Sequence, residues 1–273
     1  MKHNALALSI LCLAAVSPTV RGQSPVSKLN CNQPGLVVND LVSFCQLREV
    51  ALPPAGTFTV DAVNGSVSVQ TWDGPGILVR AKVQTAADDC FLAEALAGQV
   101  VVDTSTGNVV ATGPSTNGRQ TWSVRLEIYV PATTGVAITT VNGSITVSDV
   151  QGLLQFHTVN GSVSLVGVGG NVEGKVVNGS IFIGVGGDHW AGQTLDVKTV
   201  NGSIEIEVPA DCSAHVTASV VMGAINTNFS VQIPAGWGLF GRSLSFDVGS
   251  GASAGSAIRM ATTMGTIQLR RMD

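Results

Sequence analysis

Beyond His3, three imidazoles could serve a metal or acid–base centre: His157, His189 and His215. Such a centre needs them to converge with carboxylates or thiolates at a defined spacing. Only Asp188 and His189 are neighbours, and adjacent residues on a strand face opposite ways. The serines include no Gly-x-Ser-x-Gly elbow accompanied by a base and an acid. Asp61, Asp73, Asp149, Asp196, Glu205 and Glu207 are scattered, so the paired carboxylates of a polysaccharide-cleaving enzyme are not evident. Gly167-Val168-Gly169-Gly170 and Gly184-Val185-Gly186-Gly187 are reminiscent of calcium-binding rolls, but Asn171 stands where the second copy has Asp188. The sequence therefore assigns no catalytic residue, no metal ligand and no cofactor site.

Binding chemistry has more candidates. Trp72, Trp122, Trp190 and Trp237 could each stack on a sugar ring. Trp190 and Trp237 lie in Gly-rich returns and are the candidate ligand platform, the favoured alternative being that they cap the ends of a valine-rich core. Past Cys12, four cysteines remain, Cys31, Cys45, Cys90 and Cys212, in no zinc-binding pattern. Four cysteines allow three pairings. Proximity favours Cys31 with Cys45, leaving Cys90 with Cys212; buried free thiols are the alternative.

The ends and the charge place the chain. Lys2, an apolar run from Ala5 to Val16 and a small-residue exit near Gly22 have the layout of a secretory signal peptide, expected over 1–22. That run is shorter than the roughly 20 residues of a membrane span. Removing it takes away Lys2 and Arg21 and no acid, which leaves 12 basic and 18 acidic residues and a net charge of −6. Nucleic acid and anionic membrane, which both require a basic patch, are not expected partners. With 45% hydrophobic and 12% charged residues the chain is not disordered, and its 32 glycines point to many tight turns.

Those turns recur. Val-Asn-Gly-Ser appears with its Asn-Gly pair at Asn64-Gly65, Asn142-Gly143, Asn160-Gly161, Asn178-Gly179 and Asn201-Gly202. Weaker copies follow at Val221-Met222-Gly223-Ala224 and Thr263-Met264-Gly265-Thr266. From Asn142 onward the steps are 18, 18 and 23 residues, then 21, then 42, a period that signals stacked repeats. Alternation flanks each copy: Ile204, Ile206 and Val208 are apolar between Glu205 and Glu207, the pattern of a half-buried strand. Each repeat thus reads as strand, Asn-Gly corner, strand and Gly-rich return. The apolar side after every corner is the same, which favours an all-β solenoid or β-roll with coils of about 20 residues over an antiparallel meander or sandwich. In such a stack the asparagines would line up, each amide able to bond the next.

The first half is less regular. Strands are expected over 57–69, 76–83, 100–111 and 122–130, and a helix over 86–97. The expected organisation is a segment 23–47 carrying Cys31 and Cys45, then one repeat domain over 48–273, irregular to 130 and regular from 131.

The stretch Arg48-Glu49-Val50, Phe58-Thr59-Val60, Val63-Asn64-Gly65-Ser66-Val67, Trp72 and Leu78-Val79-Arg80-Ala81 resembles the opening of the putative adhesin family of bacterial exported proteins. Leu126-Glu127-Ile128-Tyr129-Val130-Pro131 and the corner copies resemble its repeating part, so the likeness runs from about Arg48 to Leu269. It implies a right-handed solenoid-like fold and a setting in the periplasm, at the cell surface or outside the cell, and it carries over no site residue. The expected function is that of an exported, non-enzymatic structural or interaction protein that contacts a surface glycan or envelope protein through its repeat face. The alternatives are a polysaccharide-acting β-helix enzyme and a periplasmic binding or signalling module.

Overall fold

The computed structural model describes residues 29, 31, 37–188, 190–231, 241–249 and 255–272. The expected signal peptide, His189 and Trp237 lie outside these residues. The described chain is all-β apart from one helix.

It opens with a hairpin, β1 (Val37–Val38) and β2 (Leu41–Leu52), closed by Asn39 and Asp40. Both turn residues have positive φ, 52° and 63°, which a two-residue type I′ turn requires. β2 runs through the expected boundary at 47/48 without a break. β3 (Thr57–Asn64) and β4 (Val67–Thr71) flank the first Asn-Gly corner, and β5 (Ile77–Ala87) pairs antiparallel with β2.

The helix, α1, spans Cys90–Gln99 rather than starting at Ala86. Ala86 and Ala87 are instead held in β5 opposite Ser43 and Val42. The Asp89 carboxylate accepts from the Leu92 N–H at 2.8 Å, satisfying one of the free donors of the first turn. At the other end Arg48 donates to the Ala97 and Val100 carbonyls at 3.0 and 2.8 Å. The single strand expected over 100–111 is two, β6 (Val101–Asp103) and β7 (Val109–Thr112), paired antiparallel. β8 (Thr121–Val130) then lies between β5, antiparallel, and β4, parallel.

The regular repeats give strand pairs around each corner. They are β9 (Gly135–Asn142) and β10 (Ile145–Ser148), β11 (Leu154–Asn160) and β12 (Val163–Val168), β13 (Val172–Asn178) and β14 (Ile181–Val185), and β15 (Thr194–Asn201) and β16 (Ile204–Val208). Strands before the corner pair in parallel in the order β3, β9, β11, β13, β15. Those after it do the same in the order β4, β10, β12, β14, β16. No register slip accumulates at the corner, because a slip of one residue would turn the buried valines and isoleucines to solvent.

Two features differ from the expected solenoid of uniform coils, and what is observed is one large mixed sheet. The sheet is mixed, with antiparallel pairs at both flanks: β2–β5–β8 on one, and β17 (Ala214–Thr227) with β18 (Arg242–Val248) on the other. The corner strands also do not pair in chain order. The last strand, β19 (Ala257–Arg271), pairs in parallel with β15 and β16 on one side and with β17 on the other. The Met264 corner therefore lies between those of Asn201 and Met222, although Met222 comes first in the chain.

Inward residues of both ladders form one cluster, from Phe44 to Leu269. At about 1.5–3 kcal/mol for each buried Val, Leu or Ile side chain, this burial is the main force holding the ladders together. Where a coil carries Gly174 at an inward position, the ring of Phe156 from the coil before occupies the space a Cβ would take.

Candidate ligand-binding face

The corner glycines are required by stacking. A Cβ on Gly143 would fall on the carbonyl oxygen of Gly65, one on Gly161 on that of Gly143, and one on Gly179 on that of Gly161. The same holds for Gly202, Gly265 and Gly223 against the corner next to each. Backbone bonding continues through the bend: the Gly65, Gly143, Gly161 and Gly179 N–H groups donate to the carbonyls of Asn142, Asn160, Asn178 and Asn201 at 2.8–3.0 Å.

The asparagine beside each glycine ends its strand without positive φ. Asn142 Nδ2 donates to Asn64 Oδ1 at 2.9 Å, Asn160 to Asn142 and Asn178 to Asn160 at 3.0 Å, and Asn201 to Asn178 at 2.8 Å. The row continues as Met264 and Met222, both exposed, so the amide ladder stops at Asn201.

At four corners a buried threonine sits two residues before the asparagine or, at the last, before Met264, and three of the four donate to the glycine carbonyl of the neighbouring corner. Thr199 donates to Gly179 O and Thr262 to Gly202 O at 3.0 Å, and Thr158 to Gly143 O at 3.4 Å. Thr140 occupies the same place with its hydroxyl unbonded, and Ala62, Val176 and Val220 stand there at the other three corners. Sequence reading overlooked these residues, though the Thr-Val-Asn-Gly spelling of three copies was there to find.

On the outer face of the ladder before the corner, the register sets side chains in rows. One runs His157, Lys175, Lys198, Ala261, Ser219, Ser243. The row next to the corner carries Val159, Val177, Val200, Thr263 and Val221. A trough of about 520 Å³ lies across both rows, its lining including Lys175, Lys198, Val200, Ser219, Val221 and Arg242. It forms where the row drops from long cationic side chains to alanine and serine.

Beyond it, His215 and Asp247 face each other across β17 and β18, with Ser245 two residues along β18 on the same face, opposite Thr217. Asp247 Oδ1 is 2.7 Å from His215 Nδ1, and Ser245 Oγ is 2.9 Å from Nε2. This is the hydrogen-bond order of nucleophile, base and orienting acid. The group lies on an open face, with side chains 52% exposed for His215 and 58% for Asp247. Two segments distant in sequence supply it, so spacing alone gave no signal.

No family model matches the chain, and no curated protein matches it. Three solved structures show a distant likeness. One, described as a "putative cell adhesion protein" from Clostridium sporogenes, is 10% identical, with 84% of this chain and 100% of that chain covered at a TM-score of 0.42. A "putative lipid binding protein" from Parabacteroides distasonis is 11% identical, over 84% of this chain and 97% of that one, with a TM-score of 0.32. A "putative adhesin" from Bacteroides fragilis is 10% identical, over 86% and 98%, with a TM-score of 0.31. Likeness at this level carries no conclusion about fold or role.

The remaining expected site residues separate. Trp190 is 9% exposed and its indole N–H donates to the Gly170 carbonyl at 3.3 Å, so it is a core residue and not a platform. Cys31 and Cys45 form a disulfide with Cα atoms 5.7 Å apart. The Cys90–Cys212 pairing is corrected: Cys212 is a free thiol, 2% exposed. Burial pushes that thiol up to about 11. No cluster of three potential metal ligands and no helix long and apolar enough to cross a membrane occurs among the described residues.

Proposed function

We propose that the protein is an exported, non-enzymatic interaction protein of the cell envelope or surface, built as a β-roll whose outer face contacts a glycan or a protein. The observation that carries this reading is the set of aligned rows on that face. Parallel pairing at about 4.8 Å spacing turns one repeated residue into a continuous stripe, and an interacting surface is thereby made from a short sequence unit. The signal-peptide pattern supports export, and the Cys31–Cys45 disulfide suits an oxidising compartment. The test is retention of the purified chain on arrays of envelope glycans and envelope proteins. Selective, saturable retention that falls when Val63 and Val141 on the outer stripe are changed to Glu is the expected result. Retention that is absent, or indifferent to those changes, removes the outer face from the account.

A second reading rests on Ser245, His215 and Asp247. With Asp247 holding a proton on Nδ1, Nε2 is left to accept from Ser245, as acyl transfer requires. A fluorophosphonate probe separates the two readings. Covalent labelling of Ser245 that disappears in Ser245→Ala and His215→Ala establishes a nucleophile, and no labelling leaves a surface hydrogen-bond network.

A further inference from the structure

The trough over β13, β15, β19 and β17 has a chemistry that the interaction reading does not use. We propose that it binds a single-chain anionic amphiphile, a medium- or long-chain carboxylate, with the carboxylate at Lys175 and Lys198 and the alkyl chain along Val177, Val200 and Val221. This rests on the trough itself and stands whether or not the protein is an adhesin.

Charge favours an anion. Lys175 and Lys198 line the trough together with His157 and Arg242, and among the described residues no carboxylate does, on a chain whose formal net charge is −4. Lys198 shares its ammonium with Asp196 at 3.2 Å. Lys175 is exposed, and no hydrogen bond or ion pair to it is found among the described residues. Lys175 and Lys198 stand opposite each other on neighbouring strands, so two cationic side chains leave the same place on the face.

Shape and polarity favour an alkyl tail over a sugar. Its volume, about 520 Å³, falls within the roughly 300–1,000 Å³ of ligand clefts, which are mostly apolar with a few placed polar groups. The outward apolar side chains that line it are Val177, Val200 and Val221, and among the described residues no Trp, Tyr or Phe lines the trough for a sugar to stack on. The floor, Ala261 and Ser219, is low enough for a chain to lie across the strands.

The experiment is titration calorimetry of the whole chain with decanoate, decanol and acetate, each below its aggregation threshold. Decanoate is expected to bind saturably at one site. Decanol, which has the tail alone, and acetate, which has the charge alone, should each bind at least about tenfold more weakly, since charge-assisted bonds and tail burial both contribute. The exposed double substitution Lys175→Glu with Lys198→Glu should lower decanoate affinity at least about tenfold while leaving the melting temperature unchanged, and Val200→Asp should do the same from the tail side. Equal affinity for decanol and decanoate, unchanged binding in the double variant, or no decanoate binding overturns the proposal. Binding to anionic phospholipid vesicles or to an acidic oligosaccharide in place of decanoate overturns it too, by pointing to a membrane surface or a glycan.

Discussion

At the corner, one residue type is fixed by its neighbour in the next coil. The carbonyl oxygen of Gly143 occupies the place of a Cβ on Gly161, so Gly161→Ala forces two backbones apart and should lower stability by about 3 kcal/mol. Asn160→Ala removes two amide bonds from an exposed ladder, where water replaces part of what is lost, and should cost about 1 kcal/mol. Urea denaturation of the two variants measures both, and equal losses would refute the ranking. Cys212 gives a third test. Its thiol rises from 9.0 in the unfolded reference to about 11 in the fold. A group whose folded pKa is raised contributes stability that is intact below its unfolded pKa and lost as pH climbs through the folded one. Stability should therefore be insensitive to this thiol below pH 9 and decline from there toward pH 11, more steeply than in Cys212→Ala. Alkylation by iodoacetamide at pH 8 should require unfolding.

At the scale of a strand, β16 shows how alternation becomes orientation. Ile204 is fully buried, while Glu205 points out and meets Arg270 at 3.2 Å. Ile204→Asp places an unpaired carboxylate in the core, a penalty comparable to the whole stability of a domain, and the protein should not fold. Glu205→Ala removes only a surface ion pair and should change stability by less than about 1 kcal/mol. Circular dichroism melts of the two decide it, and similar effects would invert the facing of the strand. The threonines have a milder role. Val176 shows that a coil can do without the hydroxyl, so Thr199→Val should cost about 1 kcal/mol, the value of one bond to the Gly179 carbonyl.

For the molecule as a whole, the position of β19 matters most. β17 has only β18 and β19 as strand partners among the described residues, and β19 separates it from β15 and β16. A chain ending at residue 255 should lose the ordered packing of β17 and β18 and expose the edges of β15 and β16, which invites edge-to-edge association. Its expected signature is loss of a single cooperative melt together with aggregation by light scattering. A truncated chain that stays monomeric and melts cooperatively would contradict the inserted position. The same topology makes folding depend on contacts between residues far apart in the chain, which slows it.

Local chemistry determined the strands. Val-Asn-Gly-Ser, the alternation around Ile204 and the period near 20 residues were legible because side-chain facing follows directly from a two-residue repeat. The proximity of Cys31 and Cys45 likewise pointed to the right pair. Neighbour relations across the stack were not legible. Sequence order put Met222 before Met264, whereas the fold reverses them, because any strand of matching alternation can enter the ladder at either edge or between two coils. The trough at Lys175 and Lys198 and the contact of Ser245 with His215 arise only once register fixes which outward residues stand side by side. Trp190, in a glycine-rich return, could have faced solvent or capped the core; it is buried, its ring against Gly192 and its N–H on the Gly170 carbonyl.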